Sequence, residues 1–368
     1  MEKPVSDIIK EVAMKAGKIS LRLLIVCIVG VFILTLPQSS SANPDIPEDN
    51  LAYPVLLKWE NGSGSGFFYN KDDATYLITA RHVLFKPTTV LIPSQIAIPK
   101  SLKPKLFVSE NKQRKAFDLV FYGTLMPEEK IELIKALPNQ DRDTFTIAIE
   151  ELYSKSQEPK LNAGKIVLRS SAPSRLGGGV NEIELDMVKL FSDKHIRYHP
   201  TRDVAYIKIG LPRRENEQEQ LTLVDGVRKR QAAGIIGIAE AHVKLLKDIN
   251  VGSQAVVFGY PTTITEVDPW LSIDLPLLRK GIVAGINKDL DAIILDCSVF
   301  GGNSGGLALV IEGTSITGFK YSAIGVVTNF VPYNKEWFQN SGYSIVVPMD
   351  FVEELFKPGK TSIDPATH

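Results

Sequence analysis

Short apolar runs alternate with turn residues along most of the chain after residue 50. Glycine, asparagine and aspartate separate several of the runs, as in Asn61-Gly62-Ser63-Gly64 and Asn70-Lys71-Asp72-Asp73. Runs of this length between turn residues predict β-strands, and many of them in succession favour an all-β barrel or sandwich. The predicted strands are 53–59, 66–69, 76–80, 90–98, 119–123, 144–149, 165–169, 204–209, 254–258, 281–286, 292–295, 307–311, 323–328 and 343–347.

Three segments instead have helical periodicity, at 128–136, 240–247 and 349–356. The charge-rich stretch 213–231 has the composition of a solvated connection. Helices are therefore predicted to be few and short, and the last of them lies near the end of the chain.

The first forty residues form a separate segment with a different pattern. Residues 23–36 are apolar and uncharged, basic residues precede them, and the small residues 40–42 follow. This order is typical of an export signal cleaved near Ala42, or of an uncleaved N-terminal membrane anchor (1–42). In either case the positive flank stays in the cytoplasm and the rest of the chain is exported across the membrane.

Composition excludes several classes of function. The chain of 368 residues has 42 basic and 42 acidic side chains, so its net charge indicates no nucleic-acid partner. It has two cysteines, Cys27 and Cys297, which excludes a disulfide framework and a cysteine-rich zinc site. His195, His199 and Asp203 have the spacing of a metal site on a helix, but Pro200 disfavours a helix there. We therefore expect no metal and no cofactor.

Three segments carry residues suited to nucleophilic catalysis. His82 ends an apolar run (77–83), Asp203 opens a β-branched run (202–207), and Ser304 lies in the glycine-dense loop 300–306. A nucleophilic serine needs a base within hydrogen-bond reach, and that base needs an acid to orient it. Glycines beside the serine allow backbone N–H groups to converge on a developing oxyanion and leave room for a substrate carbonyl.

The order of these motifs, T-A-x-H-V, D-V-A and G-N-S-G-G, resembles the chymotrypsin-fold serine peptidases, and most of all their bacterial HtrA/Deg branch. The stretches 252–261, 280–283, 323–327 and 342–350 are also similar to that family, so the resemblance covers about 56–356. It implies two six-stranded antiparallel β-barrels followed by a C-terminal helix. The expected domains are a first barrel at 43–215 with a large insertion at about 86–193, a linker at 216–250, a second barrel with the helix at 251–356, and a tail at 357–368.

The resemblance also implies roles for individual residues. Ser304 would be the nucleophile, His82 the general base, and Asp203 the acid that orients His82. The backbone N–H groups of Gly302 and Ser304 would form the oxyanion hole. The expected activity is that of a serine endopeptidase whose substrate, an extended polypeptide, pairs with the strand near 326–330. Ser298, Thr328 and Asn329 would contact that substrate, and a neutral Ser298 favours small or medium apolar side chains over Lys or Arg.

The sequence departs from the family pattern in several places. His82 and Asp203 are far apart in the chain, and Asp118 also opens an apolar strand, so Asp118 is an alternative to Asp203. Asn303 precedes the serine where secreted digestive relatives have aspartate, which argues against activation by a new N-terminus. We expect no PDZ module after the final helix.

Two other functions are compatible with the same motifs. The chain could be a catalytically silent trypsin-like fold that binds proteins, or an esterase that uses the same three side chains. The presence of candidates for all three catalytic roles favours an active peptidase. The sequence makes no prediction of oligomeric state.

Overall fold

The computed structural model describes residues 46–93, 124–139, 142–215, 218–231, 234–262, 275–314, 316–334 and 339–357, with residues 7, 10, 14, 96, 102, 106–111 and 116–121 in addition. The predicted export or anchor segment around 23–36, its small-residue stretch and the tail beyond 357 lie outside the described residues. Among the helices that are described, none is long and apolar enough to cross a membrane.

The described chain is mostly β-structure, which confirms the predicted fold class. Its strands are β1 Pro54–Trp59, β2 Gly62–Lys71, β3 Ala74–Thr79, β4 Thr88–Pro93, β5 Leu106–Asn111, β6 Ala116–Phe121, β7 Lys165–Ser171, β8 Val180–Asp186, β9 Ile196–Tyr198, β10 Ala205–Glu215, β11 Gln218–Leu223, β12 Val227–Gln231, β13 Ile238–Ala239, β14 Gln254–Gly259, β15 Leu277–Asn287, β16 Ala292–Asp296, β17 Leu307–Thr314, β18 Gly318–Asn334 and β19 Gln339–Pro348. Its α-helices are α1 Glu48–Ala52, α2 Arg81–Leu84, α3 Pro127–Lys135, α4 Arg142–Gln157, α5 Met187–Ser192 and α6 Met349–Glu354.

The C-terminal half contains the predicted second barrel. Strands β14, β15, β16, β19, β18 and β17 close on each other in that order, and all of their pairings are antiparallel. Its interior is filled by branched apolar side chains such as Val257, Val283, Ile293 and Val310. Closure leaves no free sheet edge where these six strands pair with each other.

The N-terminal half differs from the expected six-stranded barrel. Its described strands form a ten-stranded sheet with the path β11-β10-β3-β2-β1-β7-β8-β12, to which β9 and β13 add at β10 and β2, and this path does not close. Part of its core is covered by α6, whose Met349 and Val352 are buried with the sheet residues. Tyr69 of β2 donates a hydrogen bond of 2.5 Å to Glu353 of the same helix.

The insertion is a small unit with a core of its own, and it is shorter than the predicted 86–193. Strands β4, β6 and β5 form a separate antiparallel sheet, and helices α3 and α4 follow them. Phe121, Leu133, Ile149 and Leu152 are among the buried residues of this core. By contrast β7 and β8 belong to the main sheet, because every second side chain in each is buried there.

The predicted linker 216–250 is also part of the main sheet for much of its length. β11 continues the hairpin of β10, and β12 pairs with β8. The stretch 240–247, predicted as one helix, has only single 3₁₀ turns at Glu240–His242 and Leu246–Asp248. The charged side chains of Arg228, Lys229 and Arg230 in β12 are exposed, which is the composition expected of a solvated connection.

Candidate active site

His82 lies in α2, a single helical turn that directly follows β3. Val83 N–H donates to Ala80 carbonyl at 3.1 Å, which starts the turn. The side chain of Asn162, from the segment that leaves the insertion, donates to the carbonyls of His82 and Val83, each at 2.9 Å. A helix this short cannot satisfy its own carbonyls, so Asn162 supplies the missing donors and fixes the turn.

The acid is brought to His82 by strand pairing. Ala205 of β10 pairs with Thr79 of β3 in antiparallel register, so residues just before Ala205 lie beside residues just after Thr79. Asp203 Oδ2 lies 2.6 Å from His82 Nδ1, and Asp203 Oδ1 accepts a hydrogen bond of 3.0 Å from His82 N–H. Both oxygens of the carboxylate therefore contact the same histidine, one through its ring and the other through its backbone.

This pairing changes the basicity of the histidine. Burial acts to lower the pKa of His82, but the charge of Asp203 and its hydrogen bond act in the other direction, and the pKa is raised above its ordinary value. The His82 side chain keeps 24% of its surface exposed, so its ring borders solvent. An imidazole held in this way is a stronger base than one in water, and its cation is stabilised by the carboxylate.

Asp118, the alternative acid, lies in the small sheet of the insertion and not in the main sheet. It is a residue of β6, where its backbone is opposite Leu91 of β4 and Ser109 of β5 in the sheet of the insertion. The carboxylate that contacts His82 is that of Asp203.

Ser304 lies in the loop between β16 and β17. Inside the loop, Asn303 N–H donates to Phe300 carbonyl at 3.0 Å and Gly306 N–H to Asn303 carbonyl at 2.8 Å. Gly305 N–H donates to Val327 carbonyl at 2.7 Å, and this bond ties the loop to β18. The Ser304 hydroxyl lies 3.4 Å from the Thr328 carbonyl. The loop is thus held by the barrel on one side.

Strand β2 of the N-terminal half holds the same loop from the other side. Ser65 N–H donates to Ser304 carbonyl at 2.8 Å, and the Ser65 hydroxyl donates to Gly302 carbonyl at 2.7 Å. The same hydroxyl accepts a hydrogen bond of 2.8 Å from Tyr260 N–H. Ser65 is fully buried, and its bond with Tyr260 N–H is made away from water. Through Ser65, the serine loop is attached to the sheet that carries His82.

Two glycines of the loop are required by its geometry. Gly302 has φ +95° and Gly305 has φ +88°, both in the left-handed region. A Cβ on Gly305 would lie 2.0 Å from Ser65 carbonyl oxygen and 3.0 Å from Ala80 nitrogen. This close approach places the residue after Ser304 against the end of β3, two residues before His82.

The expected oxyanion donors are the N–H groups of Gly302 and Ser304. Among the residues that the structure describes, neither of them donates to another protein group. The carbonyls of both residues are held by Ser65, which fixes the backbone of the loop. Donors of this kind can stabilise negative charge that develops on a carbonyl oxygen.

The expected substrate residues lie beside this loop. Ser298 Oγ lies 3.8 Å from the point where a Cβ on Gly342 of β19 would stand. Asn340 also joins the two segments, because its side chain donates to Val299 carbonyl at 2.5 Å. Thr328 is an extra residue in β18, between Val327 and Asn329 in the pairing with β19. Its neighbour Asn329 is exposed to solvent.

Cys297, next to Ser298, is not a competing nucleophile. It is buried in the barrel core, and burial raises the pKa of its thiol to about 11. At neutral pH the thiol stays protonated, and a thiol in that state is a poor nucleophile.

The histidine spacing that suggested a metal site has another explanation. His195 and His199 flank β9, so they are not on a helix. Nowhere in the described part of the chain do three or more candidate metal ligands cluster.

Sequence reasoning missed three residues that hold the site together. Ser65 lies in a glycine-rich segment where a turn was predicted around 61–64, but residues 62–71 form β2. Asn162 has no motif around it in the sequence, and His199 was considered only for its spacing as a metal ligand. Their contacts, with residues up to 239 positions away for Ser65, are tertiary, and no local pattern marks them.

Comparison with known proteins gives similarity at the level of structure. No family model matches the chain, and no curated protein matches it in sequence. It is similar to the serine endoprotease from Yersinia pestis, with 12% identity, TM-score 0.36, and coverage of 86% of this chain and 70% of that one. It is similar to Deg5 with 15% identity, TM-score 0.37 and coverage of 83% and 88%. It is similar to the HtrA-type protease AlgW with tripeptide, with 13% identity, TM-score 0.37 and coverage of 83% and 59%.

The fold is chymotrypsin-like. Along the chain, the large sheet comes first, the closed six-stranded barrel second and the C-terminal helix last. This is the order that the sequence resemblance predicted. The open ten-stranded sheet and the insertion are the features in which this chain departs from two simple barrels.

Proposed function

We propose that this protein is a serine endopeptidase. The observation that carries the proposal is the contact of His82 with both oxygens of Asp203, in a sheet that also holds the loop of Ser304 through Ser65. Base and acid are oriented together, and Gly305, the residue after Ser304, lies against the end of the strand that leads to His82. This set of groups suits acyl transfer.

In the proposed reaction, the Ser304 hydroxyl attacks the carbonyl carbon of a peptide bond and its proton passes to His82. The carbonyl oxygen becomes an oxyanion that accepts hydrogen bonds from the N–H groups of Gly302 and Ser304. The C–N bond then breaks, His82 gives its proton to the leaving amine, and an acyl-enzyme remains. Water, deprotonated by His82, hydrolyses the ester and restores the serine. Asp203 keeps the ring oriented and stabilises its cation throughout.

The end of β18 supports the proposal that substrate binds as an extended strand. β17 pairs with β18 only as far as Val326, and β18 continues beyond it to Asn334. Beyond Val326, the edge of β18 that faces β17, which includes Asn329, pairs with no strand among the described residues. A polypeptide can add to such an edge by main-chain hydrogen bonds. With the neutral Ser298 ahead of the serine loop, we expect cleavage after small or medium apolar side chains.

The test is labelling of purified residues 43–368 with a fluorophosphonate, read by intact mass. The wild type should gain a single adduct, and Ser304→Ala should gain none. Asp118→Ala is the matched control for the acid, and it should label at the wild-type rate because Asp203 makes the contact with His82. A wild type that takes up no adduct would favour a catalytically silent fold that binds proteins. Labelling together with turnover of esters but not peptides would favour an esterase.

We also propose that the catalytic domain works outside the cytoplasm, either periplasmic or tethered to the membrane. The support is the apolar run 23–36 with its basic flank and the small residues after it. Fusing residues 1–50 to alkaline phosphatase, which is active only after export, should give an active reporter in a bacterial host. A fusion that stays inactive and cytoplasmic would contradict the proposal.

A further inference from the structure

His199 lies at the start of the loop that carries Asp203, and its ring is used as an acceptor by that loop. The residue is 5% exposed. Its Nδ1 accepts hydrogen bonds from Thr201 N–H at 3.2 Å and from Arg202 N–H at 3.1 Å. Thr201 and Arg202 are the two residues that immediately precede Asp203.

This geometry determines the protonation state of the ring. Two N–H groups point at Nδ1, so Nδ1 must offer a lone pair and cannot itself carry a proton. The single proton of the neutral ring is then on Nε2, which lies 3.2 Å from Glu354 Oε2 and donates to it. His199 is therefore neutral, in one tautomer, whenever the loop has this conformation.

The backbone of His199 connects the loop with its surroundings. Its N–H donates to Val204 carbonyl at 2.9 Å, across the loop from the acid. Its carbonyl accepts a hydrogen bond of 3.1 Å from Arg81, the residue before His82. Its ring packs edge-on against Phe351 of α6, with 5.3 Å between ring centroids. One residue thus contacts the chain on both sides of Asp203, the segment of His82 and the C-terminal helix.

We propose that His199 is a positioning residue, which as a neutral imidazole fixes the loop that directs Asp203 at His82; the inference rests on the proposed peptidase function. Without an acceptor at Nδ1, the N–H groups of Thr201 and Arg202 lose their partner in a buried region, and the loop must move to find others. A displaced loop moves the Asp203 carboxylate, whose contacts with His82 are short and directional. A misplacement of about 1 Å at a catalytic group can reduce the rate about a hundredfold.

Two substitutions distinguish the role of His199 as a hydrogen-bond acceptor from its role as a buried side chain that fills space. In His199→Asn the side-chain oxygen can still accept at the position of Nδ1, whereas His199→Leu has similar bulk and no acceptor. His195→Leu is the control, because His195 flanks the same strand β9 at its other end and is only half-buried. Thermal unfolding of each variant shows whether it is folded at the assay temperature.

The first measurement is made on the wild type. Nitrogen-15 spectra of the histidine-labelled protein at neutral pH should show His199 as the neutral Nε2–H tautomer, and a cation or an Nδ1–H tautomer would overturn the inference. The second is the downfield proton signal of His82 Nδ1–H bonded to Asp203. It should be weakened or shifted in His199→Leu and preserved in His199→Asn and His195→Leu.

The third measurement is the rate of fluorophosphonate labelling. We expect His199→Leu to label about tenfold to a hundredfold more slowly, with most of the rate restored in His199→Asn and no change in His195→Leu. If His199→Leu does not fold, the comparison of His199→Asn with the wild type and the tautomer measurement still test the inference. An unchanged rate and unchanged His82 signal in a folded His199→Leu would refute it. A wild type that shows the expected spectra but does not label would count against the proposed function, and not against the role of His199 in the loop.

Discussion

Removing the hydroxyl of Ser65 tests how the serine loop is attached to the sheet of His82. In Ser65→Ala, the Gly302 carbonyl loses its donor at 2.7 Å and the Tyr260 N–H loses its acceptor at 2.8 Å. The backbone hydrogen bond from Ser65 to Ser304 is retained, since it does not involve the side chain. The substitution therefore changes the support of the loop without removing any group proposed to react.

The size of the effect follows from burial. Ser65 and Tyr260 are almost fully buried, and the space left by one hydroxyl is too small to admit water. The unsatisfied Tyr260 N–H, which is buried, costs about 1–3 kcal/mol, and the Gly302 carbonyl adds less because Gly302 is partly exposed, so the free energy of unfolding should fall by at least about 1 kcal/mol. At about 2–4 °C per kcal/mol for a domain of this size class, the Tm should fall by at least about 2 °C. Loss of one oxyanion donor costs about 10²–10³ in rate, so a loosened loop should label about tenfold or more slowly.

Thermal unfolding and fluorophosphonate labelling of the same samples measure both effects. Ser63→Ala is the matched control, because Ser63 lies on the same strand and contacts Thr262 Oγ1 at 2.7 Å, but both residues are partly exposed. Water can replace that hydroxyl, so its change in stability should stay below about 1 kcal/mol. If Ser65→Ala were as stable as Ser63→Ala and labelled at the wild-type rate, the loop would not depend on this contact and our reasoning would be wrong.

Three further predictions concern the groups around the base. Asp203→Asn should reduce the labelling rate about 10⁴-fold. Because Asp203 raises the pKa of His82, the acid limb of the wild-type pH–rate profile should lie above about pH 6.5. In the variant that limb should move to lower pH, and an unmoved limb would contradict the assignment. Asn162→Ala should lower the free energy of unfolding by about 1–3 kcal/mol, because the His82 and Val83 carbonyls lose their hydrogen-bond donor. Asn162→Asp should have the same effect because a carboxylate cannot donate, and a wild-type Tm in both variants would count against the role of Asn162. Gly305→Ala should abolish labelling, since its Cβ would stand 2.0 Å from Ser65 oxygen; a labelled, stable variant would show that the loop can move away.

The same pKa shift has a consequence for stability. His82 has a pKa above its unfolded value, so its interaction with Asp203 stabilises the fold fully below the unfolded pKa, about 6.5. That contribution is lost as the pH rises through the folded pKa. Catalysis has the opposite requirement, because the base must be unprotonated, so the pH that favours activity is above the one at which this pair stabilises the fold most.

The sequence by itself predicted the class of fold and named the residues of the candidate site. Short β-type runs between turn residues predicted strands, and 254–258, 307–311 and 343–347 lie within β14, β17 and β19. The glycines around Ser304 predicted a loop with special backbone angles, and two of them have positive φ. These features are local, since side-chain alternation and glycine act within a few residues.

Only the tertiary structure decided which distant groups meet. Asp118 and Asp203 are both followed by apolar runs in the sequence, and the register of β10 on β3 places Asp203 at His82. Tertiary pairing also set the boundary of the insertion. The alternation of buried and exposed residues in β7 would be the same if β7 paired within the insertion, but β7 pairs with β1 of the main sheet. The contacts of Ser65, Asn162 and His199 join segments far apart in the chain, and strand register and packing set them. A pattern in one segment holds no information on the partner that the fold brings to it.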